Sequence, residues 1–277
     1  MPVEVPTKTA PPAAIGAPVA EPEFSHRHNF TGYMERVLAM TARLPAGRVL
    51  DIPAGAGQVT EAMRAQGHEV VPADINEHDA SFVHADMTRR LPFEDQSFDI
   101  VICLEGIEHV QRPHDLLGEL LRVCKVGGQV ILSTPNVSNM FSRVQFLFTG
   151  TMHQFHFSQL RDLAPNAADD RFHISPVGLD WLTHDGRYWG AEVAEVGRDK
   201  VKRVLMLPVF AVVYLLGWFW MWRLYVGKGR PELRDRNRVM FRRASSMQAT
   251  LGRSLIVRFK KTRHVSETQP ATEGADR

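Results

Sequence analysis

The sequence DIPAGAGQ, residues 51–58, places a carboxylate and two glycines just before a segment of helical pattern. Gly55 and Gly57 allow a ligand to approach the backbone closely, and a helix beginning at Gln58 would offer free N–H groups. Asp51 would repel a phosphate but attract an ammonium. The stretch therefore predicts a loop that binds a nucleotide-type cofactor bearing a positive charge.

Two further carboxylates, Asp74 and Asp86, stand at the ends of predicted strands. Asp74 could accept hydrogen bonds from both hydroxyls of a ribose. Asp86 could accept a hydrogen bond from the amino group of an adenine, and Met87 could pack against that ring. Either acid could also be an ordinary loop residue. With Asp51 they indicate a cofactor that has an adenine, a ribose and an amino-acid tail, and S-adenosylmethionine fits this description.

Two alternatives remain open at this point. An NAD-dependent oxidoreductase could use a similar sheet, but its fingerprint is GxGxxG, and residues 55–60 lack the third glycine. A non-catalytic membrane adaptor could have kept the fold without the reaction. The complete set of cofactor positions argues against such decay.

The predicted elements that position these residues alternate between strands and helices. Short apolar runs indicate strands, and apolar residues at helical spacing indicate helices. The predicted strands cover residues 48–52, 68–75, 81–87, 97–105, 129–136 and 191–199, and the predicted helices cover 33–44, 58–66, 114–124 and 178–188. This alternation is typical of a doubly wound, Rossmann-like α/β fold, whose mostly parallel sheet binds ligands at the carboxyl ends of its strands.

Taken together, the motifs resemble a known family. VLDIPAGAG, VVPADIN, HADM, LPFEDQSFDIVICLEGIEHV and ELLRVCKVGGQVILSTPN match, in order and spacing, the class I S-adenosylmethionine-dependent methyltransferases over residues 48–136. EHV, KVGG and STPN are most similar to the ubiquinone-type and glycan-cluster branch. The resemblance implies a seven-stranded sheet whose last strand is antiparallel. SLIVRFK, residues 254–260, is the expected last strand.

The resemblance also implies roles for individual residues. The expected contacts are Asp51 and the backbone of Ala54, Gly55 and Gly57 for the methionine part, Asp74 and Ile75 for the ribose, Asp86 and Met87 for the adenine, and Leu104 and Glu105 beside the sulfonium. The sequence departs from the family at Pro53, where a glycine is usual. Since proline fixes φ and lacks an N–H, we expect this position to have a negative φ and to donate nothing to the ligand.

Glu108 and His109, in EGIEHV, are the candidate catalytic residues. A hydroxyl acceptor benefits from a base of near-neutral pKa, which favours histidine. His109 could instead be a structural residue that caps the next helix. His153, His156 and His173 fall in the region expected to cover the substrate. His153 and His156 have the spacing of a metal pair but no carboxylate at a matching spacing, so we predict no metal site.

An uncharged apolar segment, Val204–Trp222, precedes the expected last strand. It approaches the roughly 20 apolar residues that span a bilayer. Basic residues flank it on both sides, whereas a single span usually has its positive charge on one side. We therefore predict a membrane-associating insertion that re-enters or lies in the membrane plane, broken at Pro208 or Gly217. The alternative is a buried core helix.

The sequence also predicts how the chain is divided into segments. We predict a disordered lead over residues 1–25, a methyltransferase domain over 26–200, the apolar segment over 201–230, a basic segment with the last strand over 231–263, and a disordered tail over 264–277. Two cysteines without a CxxC pattern are typical of a reducing compartment. We expect the protein in the cytoplasm or on the cytoplasmic side of the inner or plasma membrane.

The sequence thus predicts an S-adenosylmethionine-dependent methyltransferase. The expected acceptor is a hydroxyl of a lipid-linked glycan, a quinone-like compound or another amphipathic small molecule. The expected membrane contact is made through residues 204–222 and their basic flanks. A nucleic-acid acceptor is not expected, because the sequence has no domain in which basic and aromatic residues interleave.

Overall fold

The computed structural model describes residues 30–76, 81–155, 172–201, 203–228 and 230–264. The strands are β1 Arg48–Asp51, β2 Glu69–Asp74, β3 Val83–His84, β4 Phe98–Leu104, β5 Cys124–Pro135, β6 Ala191–Arg198 and β7 Ser254–Lys261. The helices are α1 Gly32–Thr41, α2 Gln58–Ala65, α3 Pro113–Val123, α4 Met140–Thr149, α5 Leu179–Tyr188, α6 Leu207–Trp222, α7 Arg234–Ala244 and α8 Met247–Leu251. The predicted lead and all of the predicted tail except His264 lie outside these residues.

The seven strands form one sheet in the order β3-β2-β1-β4-β5-β7-β6. The first five run parallel to their neighbours, and β7 runs antiparallel to both β5 and β6. The predicted α/β fold with an antiparallel last strand is confirmed. Because the parallel strands end at one edge of the sheet, the residues after Asp51, Asp74 and Leu104 come together there.

Helices cover both faces of the sheet because successive strand residues point to opposite sides. Val49 belongs to a buried cluster with Met40 of α1 on one face. Leu50 belongs to a second cluster with Leu117 of α3 on the other face. A strand that is buried on both faces needs a continuous apolar run, and this requirement explains why the strands were readable from the sequence.

Most element boundaries agree with the sequence predictions to within one residue, and the largest differences are in α1, β3 and β5. Strand β3 covers only Val83–His84 of the predicted residues 81–87. Helix α1 ends at Thr41 rather than at residue 44. Strand β5 begins at Cys124, well before the predicted start at residue 129, because Cys124 pairs with Phe98 of β4 ahead of an irregularity in the register. The intervening Gly128 is required by packing, since a Cβ there would lie 2.7 Å from the main-chain oxygen of Asp99.

The apolar segment forms a short turn at Val204–Met206, the unbroken helix α6 and a wider π-type turn at Arg223–Gly227. The predicted break is therefore wrong. Pro208 lies in the first turn of α6, where its missing N–H has no partner to lose, and Gly217 continues the helix. Phe210 is the one buried residue of α6. The helix is therefore not a core helix of the described chain.

Among the described residues, one helical run is long and apolar enough to cross a membrane by length and composition. This run is Val204–Gly227, 24 residues, and 6% of its most apolar window is buried.

Candidate active site

The loop after β1 combines two glycines in left-handed backbone conformations, at φ +55° for Gly55 and +76° for Gly57. A side chain is strained at such angles. A Cβ on Gly55 would meet no atom within 4 Å, whereas one on Gly57 would lie 3.3 Å from the ring of Phe82. Gly57 is also the N-cap of α2. The loop therefore leaves open space beside bare backbone at a helix N-terminus, as a bound cofactor requires.

Asp51, the last residue of β1, is 2% exposed. Its Oδ2 accepts a hydrogen bond of 2.7 Å from the hydroxyl of Thr60 in α2. Burial raises the pKa of Asp51 to about 7, the nearby charge of Asp74 adds to the rise, and the bond from Thr60 opposes it. A positively charged ligand group beside Asp51 would favour its ionised form.

Asp74, the last residue of β2, orients the glycine loop. Its Oδ2 accepts a 2.9 Å hydrogen bond from the Gly55 N–H. Its Oδ1 accepts hydrogen bonds from the backbone N–H of Asn76 at 2.9 Å and from the side-chain amide at 3.1 Å. Ile75, between them, is half-buried. The expected ribose contacts of Asp74 and Ile75 stay predictions.

Asp86 lies beyond β3 and is held by its neighbours. Its Oδ1 accepts hydrogen bonds from the N–H and the hydroxyl of Thr88, at 2.8 and 2.7 Å, and Arg89 pairs with Oδ2 at 3.2 Å. Burial raises the pKa of Asp86, but the Thr88 bonds and the Arg89 charge outweigh it, so the pKa is below its ordinary value. Met87 packs against the larger core cluster. This ionised carboxylate could accept a hydrogen bond from an adenine amino group.

The end of β4 is strained. Glu105 has a φ of +48°, which is unusual for a residue with a side chain and is typical of functional sites. Its N–H donates to the Ser133 carbonyl at 3.0 Å, and the Ser133 hydroxyl donates to its Oε1 at 2.8 Å. Burial raises the pKa of Glu105, against the effects of Ser133 and Arg253. The preceding Leu104 is 8% exposed.

Pro53 packs against this strained turn. A Cβ on Gly106 would lie 2.6 Å from Pro53 Cδ and 3.2 Å from Cys103 Sγ, so Gly106 has no room for a side chain. The Ile52–Pro53 peptide is cis. Because it packs against Gly106, the Pro53 ring connects the cofactor loop with the residues that follow β4. The next residue, Ala54, is buried.

A second polar group, the acceptor cluster, consists of Glu108, His109 and His173. Glu108 and His109 lie in the helical turn Ile107–His109 after β4. One ligand atom from each member lies within 4.8 Å of those of the other two. The rings of His109 and His173 meet edge to face, with centroids 5.0 Å apart. The candidate catalytic residues therefore lie together, and His173 joins them from a distant segment.

Glu108 is fully buried, and neither carboxylate oxygen has a hydrogen-bond partner in the part of the chain that the structure describes. The Thr134 hydroxyl also lacks a partner of good hydrogen-bond geometry, but it lies close enough to Glu108 to oppose the rise in the pKa of that carboxyl. Burial, and then the charge of Glu105, raise the pKa of Glu108 well above its ordinary value. Burial, and then the charge of His109, lower the pKa of His173 to about 4. A carboxylate with two imidazoles can exchange a proton with a hydroxyl or hold a divalent cation.

The other histidines named from the sequence do not form this cluster. His153 packs against the ring of Phe141, with centroids 4.9 Å apart. His156 lies outside the described residues. The expectation of no metal site stays a prediction, although the donor set of the acceptor cluster is one that a metal could use.

Comparison with known proteins identifies the family. A family model described as "Methyltransferase domain" matches residues 50–132. A demethylmenaquinone methyltransferase of Renibacterium salmoninarum is 35% identical over 181 residues, which cover 60% of this chain and 72% of that protein. The chain belongs to the class I S-adenosylmethionine-dependent methyltransferases.

A second relative of this methyltransferase is a ubiquinone biosynthesis O-methyltransferase of Hahella chejuensis. It is 33% identical over 132 residues, 42% of this chain and 55% of that protein. The matched part spans about half the length of the first curated relatives. A solved structure from Thermotoga maritima, a possible histamine N-methyltransferase, has a TM-score of 0.50 at 16% identity and covers 85% of this chain and 92% of its own. At this identity the likeness shows the fold alone.

S-adenosylmethionine is the cofactor of this methyltransferase family, and the loop geometry fits it. The open space at Gly55, the free N-terminus of α2 and the buried carboxylate of Asp51 suit a ligand with an ammonium-bearing tail. When bound, the cofactor would supply a methyl group on a positively charged sulfur.

Sequence reasoning missed the residues that orient the site. Thr60 holds Asp51, Asn76 holds Asp74, and Ser133 holds Glu105. Thr60 carried a weak signal, since it lies one turn into the helix that follows the loop. Ser133 carried none, because its proximity to Glu105 follows from strand pairing between β4 and β5.

Proposed function

We propose that this methyltransferase transfers the methyl group to a hydroxyl of an amphipathic acceptor, of which a quinone-like compound is the first candidate and a lipid-linked glycan the second. The observation that carries this proposal is the acceptor cluster. Its buried carboxylate and two imidazoles follow β4, next to the turn that Pro53 joins to the cofactor loop. Such a group suits an acceptor that must lose a proton.

The names of two relatives support placing a quinone-like acceptor before a lipid-linked glycan. One relative is a ubiquinone biosynthesis O-methyltransferase and another a demethylmenaquinone methyltransferase. Both names refer to quinones, and the first specifies an oxygen acceptor. The exposed apolar surface of α6 supports an acceptor with a lipid part, because that part would partition into the same environment.

The reaction would form a bond between the acceptor oxygen and the methyl carbon and break the bond between that carbon and sulfur. The residues of the chain would bind and align the two reactants, which is the main contribution of protein to an in-line transfer. Asp51, Gly55, Gly57, Asp74 and Asp86 would hold the cofactor. Glu108, His109 and His173 would orient the hydroxyl and take its proton.

We place the reaction on the cytoplasmic side of a membrane, and we propose no nucleic-acid acceptor. S-adenosylhomocysteine titrated into the full chain in a calorimeter tests the cofactor half, and the absence of binding at high micromolar concentration would refute it. Mass spectrometry of lipid and glycan extracts, made with and without active protein, tests the acceptor half. The expected change is an added CH₂ on a hydroxyl of a lipid-soluble compound.

Two results would contradict the acceptor proposal. A methylated nucleic acid would exclude an amphipathic acceptor. Cofactor binding without any methylated product would favour a membrane adaptor that kept the fold. A reconstituted reaction with a hydroxylated quinone and with a polyprenyl-linked sugar would then rank the two acceptor candidates.

A further inference from the structure

Helix α6 is attached to the domain along one face. Phe210 is 4% exposed, and Tyr214, one turn later, donates a 2.9 Å hydrogen bond to the Ser245 carbonyl after α7. Further along, the guanidinium of Arg143 in α4 lies 3.8 Å from the sulfur of Met221. Phe210, Tyr214 and Met221 are four and seven residues apart, about one and two helical turns, so they mark a single stripe that faces the domain along the helix.

The remaining surface of α6 is apolar and exposed. Exposed side chains of this outer surface include Val212 at 58%, Leu215 at 69%, Leu216 at 67%, Phe219 at 54% and Trp220 at 68%, and Leu205, in the turn before α6, is 97% exposed. No charged residue lies within α6. So much contiguous apolar surface on a soluble domain marks a site that something else covers.

An ordinary interfacial helix is amphipathic because its polar face meets water. Helix α6 has no polar face, and its attachment to the domain explains why it needs none. Its inner stripe contacts the protein, and its outer surface is left for an apolar medium. A helix that is apolar all round is therefore what a position between a protein and a lipid phase requires.

We propose that α6 lies parallel to the plane of an anionic membrane, fixed between the domain and the acyl chains, and does not cross the bilayer. A crossing would require α6 to leave the domain, which would expose the inner stripe and break the Tyr214 hydrogen bond. The partner to which this proposal commits is a bilayer surface that carries acidic headgroups.

The charge of the neighbouring helix supports this partner. Helix α7 contacts α6 through Phe241 and Trp218, whose ring centroids are 5.4 Å apart. The exposed arginines of α7 are Arg234, Arg236, Arg238 and Arg242, and its one acidic residue is Asp235. Arginines beside an inserted apolar surface attract acidic headgroups. Charge and apolar surface therefore lie on adjacent elements.

Helix α4 would widen the docking surface. It packs against α6 through Arg143, and its second half exposes Phe146 at 51%, Leu147 at 74% and Phe148 at 80%. These side chains have no other apolar environment in the chain as described. Two packed helices thus expose apolar residues where a single helix would give a narrower contact.

One consequence of this orientation rests on the proposed function. Phe210 of α6 lines a small cavity together with His153, Arg203 and Arg253. Arg253 in turn interacts electrostatically with Glu105 and lies close enough to His173 to lower its pKa. The start of α6 and the acceptor cluster therefore both lie on the side of the domain where Arg253 is, and an acceptor that resides in the membrane would approach the cluster from this side.

Vesicle flotation tests the docking surface. We expect the full chain to float with vesicles of phosphatidylglycerol and phosphatidylethanolamine, and less with phosphatidylcholine alone. The double change Leu216→Glu and Trp220→Glu should lower the bound fraction about tenfold, since charges disfavour insertion. Val126→Glu, at an exposed apolar position of β5, is the matched control and should float normally. Equal flotation of the double variant and wild type would overturn the proposal.

Replacing Arg238 and Arg242 by glutamine should weaken flotation with the acidic vesicles and reduce its salt dependence. An unchanged dependence on lipid charge would remove the anionic part of the proposal. Failure to float, combined with a self-association that the Leu216→Glu and Trp220→Glu changes abolish, would show that a second copy covers α6.

Cysteine labelling distinguishes an in-plane helix from a span. Lys200→Cys and Lys228→Cys flank the segment, and the native Cys103 and Cys124 are fully buried. In sealed vesicles, a membrane-impermeant maleimide should label both introduced cysteines from the outside. Protection of one would show a span and refute the proposal. None of these measurements depends on methyl transfer. A negative result would therefore refute the membrane-docking proposal and leave the proposed reaction untouched, and loss of the proposed reaction would leave the docking proposal untouched.

Discussion

The cofactor loops and the acceptor cluster lie at one edge of the sheet, yet the hydrogen bonding of their carboxyl groups differs. On the cofactor side, Asp51, Asp74 and Asp86 each accept at least one hydrogen bond, from Thr60, from Gly55 and Asn76, or from Thr88. On the acceptor side, Glu108 is buried without a hydrogen-bond partner among the described residues. An unpaired buried carboxylate is costly.

The carboxylates of the cofactor loops therefore have their hydrogen-bond partners within the protein, whereas Glu108 of the acceptor cluster does not among the described residues. The hydrogen bonds of the cofactor side fix the loops before any ligand arrives. The carboxylate of the acceptor side can be satisfied by a proton, a cation or an acceptor hydroxyl. Under the proposed function, the two reactants would meet different kinds of site: the cofactor would enter loops that hydrogen bonds already hold, and the acceptor hydroxyl would provide the hydrogen-bond partner that Glu108 lacks.

The largest expected effect comes from a substitution in the glycine loop that would bind the cofactor. Gly55→Val should lower the affinity for S-adenosylhomocysteine at least ~100-fold, since it strains a left-handed backbone position and fills the open space that the cofactor would occupy. Calorimetry on the purified variant measures this loss.

Gly67→Val is the matched control, because Gly67 also has a left-handed backbone, at φ +88°, with open space around it, but lies after α2 and away from the site. It should reduce stability and leave the affinity of the folded protein unchanged. Equal losses in both variants would mean that Gly55 matters for folding alone.

The second expected effect is on the acceptor cluster, and it lowers the methyl-transfer rate without changing cofactor affinity. Glu108→Gln should lower the methyl-transfer rate by about 10²- to 10⁴-fold, the usual contribution of a group that handles a proton, and leave S-adenosylhomocysteine binding unchanged. Single-turnover rates and calorimetry separate the two quantities. Glu94→Gln, on an exposed turn, should alter neither.

The same variant should also change stability with pH. The folded state binds the Glu108 proton more tightly than the unfolded state, because the pKa of Glu108 is raised on folding. Wild-type stability should therefore fall as pH rises above the ordinary glutamate pKa. Glu108→Gln keeps the position neutral, so it should raise Tm at pH 8 and reduce this fall. A lower Tm at every pH would show that Glu108 is a satisfied structural group.

The third expected effect is a pH dependence of cofactor affinity that comes from Asp51. Its pKa is raised to about 7, so the ionised form that attracts an ammonium is lost as pH falls below that value. The affinity for S-adenosylhomocysteine should rise with pH and level off above about 7, with a slope approaching tenfold per pH unit on the acid side. Asp51→Asn should bind more weakly and lose the slope. A wild-type affinity that is flat between pH 5 and pH 8 would exclude this role.

The smallest effect concerns the departure from the family at Pro53. Pro53→Gly should leave cofactor affinity within a few-fold, since the residue has no N–H to donate and its ring packs on Gly106 rather than facing the open space at Gly55. The same calorimetric titration measures it. A hundredfold change would mean that the proline itself shapes the cofactor site.

The cofactor side was predictable from sequence because its parts are local. Asp51 and the two glycines lie within seven consecutive residues, Asp74 ends β2, and Asp86 follows the end of β3 by two residues. The doubly wound sheet followed from the same alternation. The largest differences from the predicted elements are the end of α1 at Thr41, the short β3 and the start of β5 at Cys124, which depends on a pairing with Phe98 across the sheet.

The acceptor side was predictable in part. Glu108 and His109 were found by their place after β4, but His173 joins them from a far segment with no periodic pattern. The lack of charge predicts the apolar segment of α6, whereas the close approach of Arg143 of α4 to Gly217 has no signal in the sequence of either helix. Contacts between segments distant in sequence leave no mark on either segment alone.

The place of β7 in the sheet has a consequence for synthesis. Strand β7 is made after every other strand, yet it pairs with β5 on one side and β6 on the other. On the ribosome, the apolar segment emerges while the sheet still has a gap between those strands. Any encounter of α6 with a membrane can thus precede completion of the fold, and the release of β7 sets the moment at which β6 joins the other five strands.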